Sequence, residues 1–81
     1  MSERRKIYAE IDAERKSQDT RWGEQNHTLP RWMLILTEEV GEVAKAILNS
    51  HTRAPIREEL LQVAAVAVAM IDYLDRGSES L

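Results

Sequence analysis

The chain contains no cysteine, which excludes a disulfide framework, a thiolate metal site and a nucleophilic thiol. Only two prolines and three glycines interrupt it, and Gly23, Pro30 and Pro55 fall between stretches of helical periodicity, where breaks belong. No apolar run approaches the roughly 20 residues of a bilayer span, the longest being residues 63–71. Basic residues are also short: 11 Lys and Arg face 14 Asp and Glu, for a net charge of -3. They are scattered rather than clustered, which argues against a nucleic-acid polymer as ligand. The first six residues are charged rather than apolar, and the expectation is a soluble, cytoplasmic protein with no membrane partner. No strand pattern, internal repeat or low-complexity segment appears beyond the short polar tail.

What is present is helical. A narrow apolar stripe of Ile7, Tyr8 and Ile11 in a charged sequence predicts an outer helix over residues 4–18. A polar loop is expected over residues 19–28. Thr28 is suited to cap a second helix over residues 29–49, with Pro30 tolerated in its first turn because the missing N–H has no helical partner there. Residues 49–52 break that helix, and His51 reads as a solvent-facing turn residue. The third helix is expected from Ala54 or Pro55 to Arg76, ended by Gly77. Between Leu60 and Ile71 its only polar side chain is Gln62, so it is apolar on every side and must be covered all round.

Two other helices of an 81-residue chain can hardly provide that cover. Ala64, Ala65, Ala67 and Ala69 allow a neighbouring helix to approach closely. The expected architecture is therefore all-α: an antiparallel helical bundle completed by homo-oligomerisation, as a homodimer or homotetramer. Residues 1–76 form one domain and residues 77–81 a flexible tail.

At about 100° per residue, Val40, Val43 and Ile47 fall within about 40° of Leu36 and predict the core face of the second helix. Glu39 lies about 60° from that centre and Glu42 about 60° further round, with Glu38 nearer the polar side. On the third helix Glu59 and Gln62 share a face with Val63, Val66 and Met70. Each helix thus aims an i, i+3 pair of oxygen-bearing side chains toward the bundle interior. Two carboxylates ~5 Å apart repel by roughly 3 kcal/mol at an effective dielectric of 20. Such a group either takes up protons or binds a divalent cation, and oxygen-only ligands suit Mg2+ or Mn2+. Glutamate pairs at helical spacing are also common on solvated faces, which is the competing explanation. A carboxylate-bridged di-iron bundle needs two Glu-x-x-His motifs; only Glu24 and His27 have that spacing, and they lie in the expected loop.

Glu38-Glu39-Val40-Gly41-Glu42, followed after sixteen residues by Glu59-Leu60-Leu61-Gln62, resembles the E-E-x-x-E and E-x-x-D motifs of the MazG-like all-alpha NTP pyrophosphohydrolases. The apolar continuation over residues 63–71 belongs to the resemblance, and Trp22-Gly23-Glu24-Gln25-Asn26-His27 is similar to a loop found upstream in small members. The resemblance implies hydrolysis of a nucleoside triphosphate or deoxynucleoside triphosphate to the monophosphate and pyrophosphate. It implies Glu39, Glu42, Glu59 and Gln62 as magnesium ligands, with Glu38 and Glu39 catalytic. Gln62 replaces the family's Asp, offering a carbonyl oxygen without charge or basicity.

Trp22, Asn26, His27 and Tyr73 are the expected substrate-binding residues: a base can stack on a Trp while an amide or imidazole reads its edge. Trp32 reads as core. Lys16, Arg21, Arg31 and Arg53 could reach phosphates, but nothing in the sequence selects among them. Asp72 is expected at a subunit boundary. The alternative function is a non-catalytic nucleotide- or metal-binding helical oligomer with a regulatory or assembly role.

Overall fold

The computed structural model describes residues 2–23, 25–50 and 52–77. Within them lie three helices, α1 (Glu3–Trp22), α2 (Leu29–Asn49) and α3 (Arg53–Asp75), and no strand. Of the tail expected over residues 77–81 only Gly77 is described; residues 78–81, the turn residue His51 and Glu24 lie outside the described residues.

Each helix starts and stops for identifiable reasons. The Ser2 hydroxyl accepts a hydrogen bond from the Arg5 amide at 3.2 Å and opens α1. That helix runs four residues beyond the expected end at Gln18, through a segment expected to be loop. Pairing along the helix sustains the extra turn: Arg15 with Asp19 at 2.8 Å, Arg21 with Glu14 at 3.0 Å, and the Thr20 hydroxyl on the Lys16 carbonyl at 2.9 Å. Gly23 then stops it at φ 73° and ψ -168°, a backbone conformation essentially confined to glycine. The start and end of α2 agree with expectation, and Thr28 caps it by accepting from the Arg31 amide at 3.4 Å. Gly77, at φ 78°, donates to the Leu74 carbonyl at 3.1 Å just past α3.

Both α1 and α2 pack on α3, and among the described residues they do not pack on each other. The start of α2 meets the end of α3 around Leu29, Met33, Met70 and Leu74, so these two helices are antiparallel. Along α1, Glu10 pairs with Arg57 and Gln18 with Gln62, so α1 runs in the same sense as α3. The result is a central α3 flanked by two helices that face each other across an open cleft.

The core is small. Its buried apolar residues are Trp32, Ala65, Val66 and Ala69, with Ile35, Leu36, Met70 and Tyr73 partly buried against it. Trp32, at 2% exposure, fills the expected core position. The expected core face of α2 is corrected: Val40 is 51% and Ile47 56% exposed. The face that packs on α3 comprises Trp32, Ile35, Leu36, Glu39, Val43 and Ala46, turned toward Glu39 because the large indole of Trp32 anchors it. Only one residue of α1 is buried, and it is polar: Gln18 at 1% exposure.

Candidate functional site

The rotation of α2 carries Glu39 from the margin of the packed face to its middle. At 100° per residue it lies within about 20° of the direction of Trp32 and within about 40° of Val43. Glu39 is accordingly half-buried, while Glu38 and Glu42, on its flank, are exposed. Glu59 and Gln62 of α3 are half-buried on the surface facing the cleft.

Burial pushes the Glu39 carboxyl above the ordinary Glu range, and the negative fields of Glu59, Glu42, Glu38 and Glu14 add to that displacement in decreasing order. A group desolvated among like charges resists ionisation. Four of these five carboxylates are those singled out by the sequence. The fifth, Glu14, comes from α1. Its oxygen is held by Arg21 at 3.0 Å, and the same guanidinium lies 5.0 Å from the centre of the Trp22 ring.

The acids surround Glu39 without closing into a cage: among the described residues, no three His, Asp or Glu side chains are disposed to hold one ion. The donor set is nevertheless all oxygen, as hard divalent cations require. Gln62 is already engaged. Its carbonyl oxygen accepts from the Gln18 amide at 3.0 Å, and the Gln18 carbonyl accepts from Arg15 at 2.9 Å. An oxygen has two lone pairs, so this bond ties Gln62 to α1 while leaving it one acceptor position.

Cavities line the cleft. Trp22, Gln25, Ile35, Glu38 and Glu39 wall one of about 240 Å³. Gln25 is shared with a neighbour of about 300 Å³ bounded by Arg15, Asp19, Trp32, Ala69, Asp72 and Arg76. Arg76 in turn borders a third, of about 290 Å³, formed with Asn26, His27, Thr28 and Tyr73. Three of the four expected substrate residues, Asn26, His27 and Tyr73, therefore meet at one hollow. Trp22 stands apart beside the acids, on the last turn of α1 rather than in a loop. The His27 ring meets Trp32 edge to face with centroids 4.9 Å apart, which orients His27 against the core.

Two polar atoms in this region are buried and unpaired, the Gln25 carbonyl oxygen and the Trp32 indole nitrogen. Asp72, expected at a subunit boundary, pairs with Arg76 at 3.6 Å on the cavity wall. The sequence reading missed Glu14, Gln18 and Gln25. For the first two a signal existed: Ile7, Ile11, Glu14 and Gln18 continue one stripe at spacings of four, three and four.

No protein-family model, curated protein or solved structure matches the chain. The functional reading therefore rests on the geometry of the cleft and on the motif resemblance.

Proposed function

We propose that the chain is a divalent-cation-dependent nucleoside triphosphate pyrophosphohydrolase that acts as a homodimer or homotetramer. The observation that carries this reading is the gathering of carboxylates from all three helices around Glu39, whose carboxyl is displaced upward by burial and by their combined field. Such a site gains from a doubly charged cation what it loses by being desolvated and ionised.

In this reading Glu39, Glu42 and Glu59, which are gathered without forming a cage, are the residues that would hold Mg2+ or Mn2+, and the remaining lone pair of Gln62 would be the fourth protein donor. When bound, such a cation would supply charge neutralisation at the phosphates and make a nearby water more acidic. Glu38, exposed at the rim beside Glu39, orients a water toward the α-phosphorus and accepts its proton. The α–β anhydride bond breaks as the new P–O bond forms, giving the nucleoside monophosphate and pyrophosphate. Trp22 flanks the acidic end of the cleft and offers a stacking face. Asn26, His27 and Tyr73 supply polar edges at the far end, where a base and sugar would lie.

The experiment is a panel of ribonucleoside and deoxyribonucleoside triphosphates with Mg2+ or Mn2+, with pyrophosphate release as readout and Glu42→Gln as control. Release from at least one nucleotide, abolished in the variant, is the expected result. No release above blank from any of them ends the enzymatic reading. A second reading, non-catalytic binding of nucleotide or metal, is favoured by one observation: Gln62 is already engaged by Gln18. Stabilisation by Mg2+ with nucleotide in a thermal-shift titration, without product, would support it.

A further inference from the structure

On α2 and α3 nine large apolar side chains are exposed, against four apolar residues that are fully buried among the described residues. Met33, Val40 and Ile47 recur every seven residues along α2 and are all about half exposed. On α3 Leu60, Ile71 and Leu74 are likewise about half exposed, with the half-buried Ala64 and Ala67 completing a series spaced four, three, four and three. The two stripes lie on the same side of the molecule. Met33 and Leu74 line one wholly apolar hollow of about 440 Å³ with Leu29, Pro30 and Met70. This side is not the cleft: at 100° per residue Glu39 and Glu59 lie on average about 100°, and Gln62 about 150°, from the stripes of their own helices.

We propose that this surface is covered by the same surface of a second copy of the chain, related by a two-fold axis, giving a four-helix layer of α2, α3 and their symmetry mates. The proposal rests on the homo-oligomeric part of the functional reading and is independent of its chemistry.

Three observations favour this occupant. Among the described residues the single chain buries only Trp32, Ala65, Val66 and Ala69 as apolar core. Its radius of gyration is 13.7 Å, against about 12 Å for a compact chain of this length. A fold so sparsely packed needs constant cover, which a second copy provides whenever the chain is present. Second, the six large side chains expose roughly 550 Å² between them, about two thirds of the 800 Å² or so that each partner buries in a standard interface. The alanines and the helix flanks provide the rest. Third, neither stripe contains a charged residue. A two-fold axis brings a surface against itself, so any charge near the axis would meet its like. Two antiparallel apolar stripes suffer no such conflict, and the small Ala64 and Ala67 let the helices come close.

The test uses sedimentation velocity on the full chain without nucleotide or metal, from nanomolar to high micromolar. The wild type and Leu34→Glu, which alters an exposed leucine away from the stripes, are expected to sediment as a dimer or a multiple of it. Val40→Glu and Ile71→Glu are expected to dissociate at concentrations where those two remain assembled. If either charged variant fails to fold, the absence of native cysteine makes thiol labelling a clean second measurement. Leu34 and Ile71 are 61% and 58% exposed in the single chain, so thiols introduced by Leu34→Cys and Ile71→Cys would be alkylated at similar rates on a monomer. Pairing through this face slows Ile71→Cys by roughly tenfold or more, and dilution restores its rate. A monomeric wild type, an assembly indifferent to Val40→Glu and Ile71→Glu, or equal alkylation at high concentration overturns the proposal. None of these results depends on pyrophosphate release, so this pairing and the enzymatic reading fail separately.

Discussion

Replacing Gln62 by Leu should destabilise the chain more than replacing Gln18 by Leu, and replacing both should recover part of the loss. Among the described residues the Gln18 amide is the only buried polar group by which α1 is fastened to α3: the residue is 1% exposed and its nitrogen donates to Gln62 at 3.0 Å. Gln62→Leu leaves that donor buried with no acceptor, which costs about 1–3 kcal/mol. For a domain of this size that lowers Tm by roughly 5–20 °C. Gln18→Leu orphans less. Gln62 is only half-buried and its freed oxygen can reach water, while Arg15 keeps its bond to Asp19 at 2.8 Å. The double variant removes both partners and fills the space with apolar atoms, a change that can be nearly neutral. The cycle should therefore show a coupling of about 0.5–3 kcal/mol, favourable between the native glutamines. Thermal unfolding followed by circular dichroism measures it, at one fixed chain concentration because assembly makes Tm concentration-dependent. Losses that simply add, with the double variant the least stable of the three, would refute the account of Gln18 as a satisfied buried link.

Glu39→Gln should stabilise the metal-free chain near neutrality while abolishing pyrophosphate release. The folded-state pKa of Glu39 is raised, so its ionised form is penalised above that value and the penalty disappears as pH falls to about 4.3, the unfolded value. The Tm difference between variant and wild type should close over that window, and a constant difference would contradict it. The hydrogen bond from Arg57 and its charge hold the Glu10 carboxyl below the usual range. Its contribution is complete above about 4.3 and is lost as pH falls through the depressed value. Amide exchange in the first half of α1 should accelerate over that lower window, and Arg57→Met should remove the pH dependence. Gly41 has open space where a Cβ would go and sits in an exposed helix interior, so Gly41→Ala should stabilise α2 by about 1 kcal/mol. If it stabilises while raising KM, the space over Gly41 is used by substrate; unchanged or lower stability contradicts the steric reasoning.

The elements were more legible in the sequence than their rotation. Thr28, Pro30 and the polar break after Asn49 marked α2 closely because capping chemistry is local. The end of α1 was less visible, since Asp19 to Trp22 favour a loop taken singly and stay helical through pairs formed four to seven residues back. The orientation of α2 was ambiguous for a different reason. The helix carries two apolar stripes, and periodicity does not say which one meets the rest of the chain. Aliphatics alone pointed to Val40 and Ile47, whereas the bulk of Trp32 turned the helix toward Glu39. The share of the cleft contributed by α1 was legible only as spacing: Glu14 and Gln18 continue the stripe of Ile7 and Ile11, but being polar they add nothing to its hydropathy.

The polar fastening of α1 has a mechanical consequence. One wall of the cleft, formed by α2 and α3, is fixed by interlocking apolar side chains, whereas the other hangs from an amide pair and an exposed guanidinium–carboxylate bridge. Bonds of that kind compete with water and dissolved ions for their partners. Acid or high salt should therefore loosen α1 before it loosens the α2/α3 pair, and earlier amide exchange along α1 would register it.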